Sequence, residues 1–269
     1  MSDLTKSQIL RAQGGDAGAL DAVVRFAQDR VYPLAVRMLA DPVSAQDATQ
    51  EILIRVVTKL STFKGQSAFG TWVYRVATNH LLTARKIIAQ DPGLSFDAFA
   101  QDLLNGLADE RTMAPEDHLM LNQLRVRCTM AMLLCLDRNH RAAYVLGEVL
   151  ELDHREAAQV LDIAPATFRK RLSRARQDVQ RFTAQSCGLA NRAAPCSCRK
   201  RLPAALAAGR VGPTETLDQS DAPPFRDAEA LADTVQADLI AAKLQRATGG
   251  LRPVADIASD VLRVVDPPG

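Results

Sequence analysis

No run of about 18 apolar residues occurs in this 269-residue chain, so no membrane-crossing helix is expected. The opening Met1-Ser2-Asp3-Leu4-Thr5-Lys6 lacks a charged segment leading into an apolar one, which argues against a secretory leader and for a cytoplasmic location. Few stretches alternate apolar and polar residues, and Val/Ile runs are not paired across hairpin turns, so an all-α fold is expected. Internal repeats and low-complexity tracts are also lacking. There is no phosphate-cradling glycine motif, no His/Glu pattern of a metalloenzyme and no nucleophile motif, so the chain reads as a non-enzyme that needs no cofactor. Cysteine is sparse and odd in number, five residues, which in a reducing compartment suits thiols or metal ligands better than disulfides.

What is present is core-forming and unevenly charged. Hydrophobic residues make up 47% of the chain, enough for roughly two domains and a tail. The net charge of +2 hides a segment, residues 165–201, with ten basic residues (Arg169, Lys170, Arg171, Arg174, Arg176, Arg181, Arg192, Arg199, Lys200, Arg201) against one acid, Asp178. That segment calls for a negatively charged partner.

Residues 20–39 carry Leu20, Val23, Val24, Ala27, Val31, Leu34 and Met38 mostly at spacings of three and four, a helix that Pro33 kinks or breaks. Ser44 is placed to cap the next helix, with Ala45, Ala48, Ile52, Val56 and Leu60 buried and Asp47 and Glu51 wet. A third helix is expected over residues 71–88. Residues 90–114 read as a linker with one short helix near 98–107, and helical period resumes from residue 116. Helices over 228–244 and 254–265 follow, and residues 215–238 are acidic.

Residues 154–176 have the pattern of a helix-turn-helix. A short helix, residues 154–161, meets a tight turn, Asp162-Ile163-Ala164, and Pro165 opens a second helix. There Phe168, Leu172, Ala175 and Val179 share a face. Lys170, Ser173, Arg174 and Gln177 occupy the opposite arc, flanked by Arg169, where Arg and Lys can pair with guanine edges in a major groove. Arg171, Arg176 and Arg181 lie nearer the flanks and suit phosphates, as do the backbone amides near Ala166 and Thr167.

An earlier stretch, residues 63–79, mixes aromatics, a polar loop and basic residues as single-stranded nucleic acid demands. Lys64, Gly65, Gln66, Ser67 and Ala68 form a candidate pocket for an unstacked base, with Phe63 beside it and Asn79 as a neighbour. Arg75, Arg85 and Lys86 would hold the backbone. Phe69 and Trp72 are each open to two roles, core residue or stacking platform.

Taken together, these stretches resemble the sigma subunits of bacterial RNA polymerase, of the compact extracytoplasmic-function type that keeps the second and fourth sigma regions. Ala45-Gln46-Asp47-Ala48-Thr49-Gln50-Glu51 is similar to the family's polymerase-docking segment, and residues 63–79 to its promoter-melting segment. The resemblance covers residues 16–182. It implies a region-two-like domain at 1–89, a linker at 90–114, a region-four-like helix-turn-helix domain at 115–186, and an extension at 187–269. It also implies core RNA polymerase and promoter DNA as partners, with Asp47, Gln50 and Glu51 on the polymerase. Thr167, Arg169, Lys170, Arg171, Ser173, Arg174 and Arg176 would meet duplex DNA, and Phe63 to Ala68, Trp72, Arg75 and Asn79 the melted strand. Ala166 and Phe168 depart from the family's glycine and smaller β-branched residue. The rival is a stand-alone helix-turn-helix regulator that never joins polymerase.

Cys187, Cys196 and Cys198 crowd a short stretch beside Arg199 and Lys200, which would lower their pKa values and suit zinc or an oxidant. Three thiols do not complete a tetrahedron; a fourth ligand would come from His118, His140, His154, Cys128, Cys135 or another chain. Cys128 and Cys135 have apolar neighbours and read as core. The acidic extension is expected to fold back on a DNA-binding module, and either it or an anti-sigma factor is a candidate regulator.

Overall fold

The computed structural model describes residues 4–108, 117–212, 224–234, 237–248 and 251–265. Helices come first as α1 (Lys6–Gln13), α2 (Ala17–Leu39), α3 (Pro42–Thr58), α4 (Phe69–Thr83) and α5 (Arg85–Gln90). Next are α6 (Phe96–Leu104), α7 (Asp117–Leu134), α8 (Arg138–Tyr144), α9 (His154–Leu161) and α10 (Pro165–Ser186). The last are α11 (Cys198–Ala207), α12 (Phe225–Thr234), α13 (Ala237–Arg246) and α14 (Ile257–Val265). No strand forms among the described residues, so the all-α expectation holds. Two compact units divide the chain: one takes residues 1–91, 152–168 and 251–269, the other 92–151 and 169–250.

In the first unit, α2, α3 and α4 meet through the residues their spacing selects: Val23, Val24, Ala27, Val31 and Leu34 from α2, Ile52, Leu53 and Val56 from α3, Val73, Ala77 and Leu81 from α4, all fully buried. The α2 helix runs through Pro33 without a break. Ser44 does not cap α3. Asp41 does, its carboxylate accepting the Ser44 N–H at 2.7 Å, while Pro42 takes the first helical position, where its missing N–H is harmless. The helix expected over 71–88 is two helices, because Ala84 turns extended (ψ 122°) between α4 and α5. α14 packs on α2 and α3 with Ile257, Ala258 and Val261 buried. Gln28 Oε1 accepts the Ala258 N–H at 2.7 Å, and Arg25 reaches the Ser259 hydroxyl at 3.1 Å. This helix starts at Ile257 rather than 254, where the Asp256 carboxylate accepts the Ser259 N–H at 3.2 Å.

In the second unit α7 is central. Its Leu121 and Leu124 pack with Leu202, Ala205, Val211 and Phe225, and its Met132 with Phe99, Leu103, Phe182 and Cys196. Arg141 closes the C-terminal end of α7, donating to the carbonyls of Leu133 at 2.9 Å and Leu136 at 3.1 Å. The helix expected over 228–244 is assigned as α12 and α13, with residues 235 and 236 outside the described set. Glu229 of α12 pairs with Arg199 at 3.1 Å, and Asp233 with Arg192. Two acids of the extension thus pair with arginines of the cysteine loop, whereas Asp227 pairs with Arg226 at 3.5 Å; Glu215, Asp218, Asp221 and the Asp238 side chain lie outside the described residues.

Candidate nucleic-acid interface

The loop between α3 and α4 is built on an aromatic base. The Phe63 ring lies 5.1 Å from Phe69 and 5.7 Å from Trp72, and Phe69 stacks on Trp72 at 5.5 Å. Phe69 is buried, so it serves the core; Trp72 is half-buried at the rim. Gly65 has φ +72°, a left-handed turn that favours glycine, and Gln13 pins the loop by donating to the carbonyls of Leu60 at 2.8 Å and Phe63 at 3.1 Å. Above this base opens a cavity of about 390 Å³, lined by Thr62, Phe63, Lys64, Gln66, Ser67, Thr71, Trp72, Arg75 and Gln159. Asn79 is exposed further along α4 and is not among the lining residues.

Gln13, Thr62 and Gln159 were not singled out by the sequence. The last belongs to α9, which packs on α4: Thr71 Oγ1 donates to Glu156 at 2.7 Å, and Arg75 pairs with Asp162 at 3.0 Å. No local pattern announces a contact between residues some 85 positions apart.

On α10, Phe168, Leu172, Ala175 and Val179 are buried, which leaves Thr167, Arg169, Lys170, Ser173 and Arg174 exposed. The flanking arginines are engaged within the chain. Arg176 holds the Glu148 carboxylate, with its Nε at 3.0 Å, Arg181 pairs with Asp178 at 3.3 Å, and Arg171 reaches Asn139 at 3.5 Å.

On α3, Asp47, Gln50 and Glu51 are all exposed. Asp47 pairs with Lys86 at 3.3 Å, and Glu51 lies 3.4 Å from the buried His80 imidazole. Burial lowers the His80 pKa, Arg55 lowers it further, and Glu51 opposes both.

The loop cysteines depart from expectation: burial overrides the neighbouring cations and raises Cys187, Cys198 and Cys196, the last to about 11. Cys128 and Cys135, expected among apolar neighbours, are pushed up to about 12 by the same cause. Among the described residues no group of three or more His, Cys, Asp or Glu side chains could hold a metal ion. The His118 side chain lies outside the described set.

Family models for sigma-70 region 2 and sigma-70 region 4 match residues 23–86 and 126–179. The ECF RNA polymerase sigma-E factor of Escherichia coli (strain K12) is 32% identical over 186 residues, spanning 66% of this chain and 95% of that protein. The chain belongs to the extracytoplasmic-function sigma factors. This sigma factor is also 28% identical over 191 residues to SigW of Bacillus subtilis (strain 168), across 67% of its own length and 97% of the relative. The sigma factor RpoE of Bartonella quintana, solved in complex with the anti-sigma factor NepR, aligns over 60% of this chain and 91% of its own at 18% identity and a TM-score of 0.40. The cysteine loop and everything after it fall beyond both family models. No helix among the described residues is long and apolar enough to cross a membrane.

Proposed function

We propose that this sigma factor joins core RNA polymerase in the cytoplasm, reads duplex promoter DNA with α10 and captures an unstacked base of the melted strand beside α4. It catalyses no reaction of its own. Thr167, Arg169, Lys170, Ser173 and Arg174 face the duplex, with Arg171 and Arg176 at its edges. Asp47, Gln50 and Glu51 form the polymerase-docking patch on α3, away from the buried line of Ala45, Ala48 and Ile52.

The observation that carries the reading is the cavity above Phe63 and Trp72. At about 390 Å³ it falls in the range of roughly 300 to 1,000 Å³ typical of small-ligand sites, enough for one nucleobase. Its wall supplies what such a base needs: the Trp72 ring for stacking, Gln66 and Ser67 for edge hydrogen bonds, and Lys64 and Arg75 for phosphate. A stand-alone repressor has no use for that set.

The test is transcription in vitro with core polymerase, read together with permanganate footprinting of unpaired thymines. Wild type should open promoter DNA. Lys64→Ala plus Gln66→Ala should still bind polymerase and closed promoter yet leave it unmelted. A chain that binds promoter DNA but never associates with core polymerase overturns the reading in favour of a stand-alone regulator.

A further inference from the structure

The loop that walls the cavity above Trp72 is held by very little of its own. Residues 60–62 form a 3₁₀ turn, where the Thr62 N–H donates to the Lys59 carbonyl at 2.9 Å and the Phe63 N–H to the Leu60 carbonyl at 3.1 Å. Beyond that turn, from Lys64 to Ala68, no backbone N–H meets a protein acceptor among the described residues. The Ser67 hydroxyl bonds only the adjoining Ala68 carbonyl, at 3.2 Å. Every residue from Ser61 to Ala68 is exposed or half-buried, so packing does not fix the segment either. A stretch of this kind keeps one shape only if something outside it restrains it, and Gly65 adds freedom rather than restraint.

The restraint comes from α1. Gln13 is the last residue of that helix, 47 and 50 positions before the two carbonyls its carboxamide holds, Leu60 at 2.8 Å and Phe63 at 3.1 Å. A carboxamide nitrogen has two hydrogens to donate, and these two acceptors use both. The Leu60 carbonyl also takes the Phe63 N–H, whereas the Phe63 carbonyl has no other protein donor among the described residues. Phe63 is thus fixed at both ends, its ring against Phe69 and Trp72 and its carbonyl on Gln13, just where the turn passes into the unbonded loop. The helix that presents Gln13 is itself well anchored. Thr5 and Gln8 close its start with a reciprocal cap, and the buried Ile9 and Ala12 seat it on α2. All of α1 precedes residues 23–86, so the group that restrains the loop lies outside the region matched by the family model.

We propose that Gln13 is a positioning residue for base capture: by holding the Leu60 and Phe63 carbonyls it sets residues 64–67 around the pocket before single-stranded DNA arrives. The inference rests on reading that cavity as a base-binding site. Gln13 does not line the cavity, so it acts through the loop and not by touching DNA. Its contribution is to shape the site in advance. A loop already in its bound shape loses less freedom when a base enters, and a site that is shaped only part of the time binds more weakly in proportion.

The experiment follows the fluorescence of Trp72, the one tryptophan of the chain, in the full-length protein. Single-stranded DNA of mixed sequence, about 12 nucleotides long, should quench wild-type emission as a base stacks on the ring. Gln13→Met keeps a long, helix-compatible side chain but removes both donors. It should bind the same strand roughly three- to tenfold more weakly, the loss expected for two hydrogen bonds, and its emission without DNA should shift to the red as the loop loosens over the ring. Binding to promoter duplex should match wild type. A purely structural Gln13 would lower the unfolding midpoint yet leave single-strand affinity unchanged well below that midpoint. Equal single-strand affinity in Gln13→Met and wild type therefore overturns the proposal and leaves the base-binding reading standing. An equal loss of duplex binding overturns it too, since a positioning residue acts on the loop alone. A wild-type chain that neither binds the strand nor opens a promoter with core polymerase overturns both.

Discussion

Thr71 Oγ1 donates a 2.7 Å hydrogen bond to the Glu156 carboxylate, tying the helix that carries Trp72 and Arg75 to α9. Thr71 is buried, so Glu156→Ala strands its hydroxyl. Leaving a buried polar group unsatisfied costs about 1–3 kcal/mol, which for a chain of this size lowers the unfolding midpoint by several degrees. Thermal denaturation followed by circular dichroism checks this, and Glu156→Gln, which keeps an acceptor, should restore most of the loss.

Lys170→Ala plus Arg174→Ala should weaken binding to promoter duplex by about 1–3 kcal/mol for each side chain that pairs with a guanine. A residue that instead meets phosphate reveals itself by a salt dependence shallower by roughly one unit of log–log slope. Fluorescence anisotropy over a series of salt concentrations separates the two, and folding should be unaffected because both side chains are exposed. Phe168→Ala behaves in the opposite way. It removes a fully buried ring and should cost about 3–5 kcal/mol of stability.

Acid should loosen the first unit through His80. Its folded pKa lies below the ordinary value of 6.5, chiefly because the ring is buried, so the unfolded chain takes up the proton first. The stability that depends on a neutral imidazole is complete above about pH 6.5 and is lost as pH falls from there through the lower folded pKa. Unfolding midpoints measured from pH 7.5 to 5 should fall less steeply in His80→Asn than in wild type.

α14 should act as part of the first unit's core. Ile257→Ala exposes part of the apolar face between α2 and α3 and should cost about 2–5 kcal/mol. Arg25→Ala removes an exposed pair with Asp256 and should cost no more than about 1 kcal/mol. Urea unfolding of the two variants distinguishes packing from charge as what holds this helix.

Helix type and the buried stripes were open to reading from residue spacing alone, as Val23, Ala27, Ile52, Val73 and Leu172 show by lying where periodicity puts them. Helix ends were harder, since Asp41 and Ser44 both suit a cap and only the backbone path decides between them. The polar loop at residues 64–67 announced itself through composition, yet Gln159 and Glu156 did not, because their approach to α4 depends on tertiary packing. The cysteine pKa values went the other way from expectation: basic neighbours in sequence stood for a polar surrounding, whereas the thiols are buried among Phe99, Met132 and Phe182.

α10 is a single helix of 22 residues, a rod about 33 Å long. The exposed Thr167, Arg169, Lys170, Ser173 and Arg174 sit on its early turns, and Cys187 follows its last residue. Each residue added to a helix turns what lies beyond it by about 100°. A one-residue insertion after Val179 would therefore swing Cys187 a quarter-turn or more around the axis relative to Lys170 and Arg174, while leaving the exposed side chains of the early turns in place.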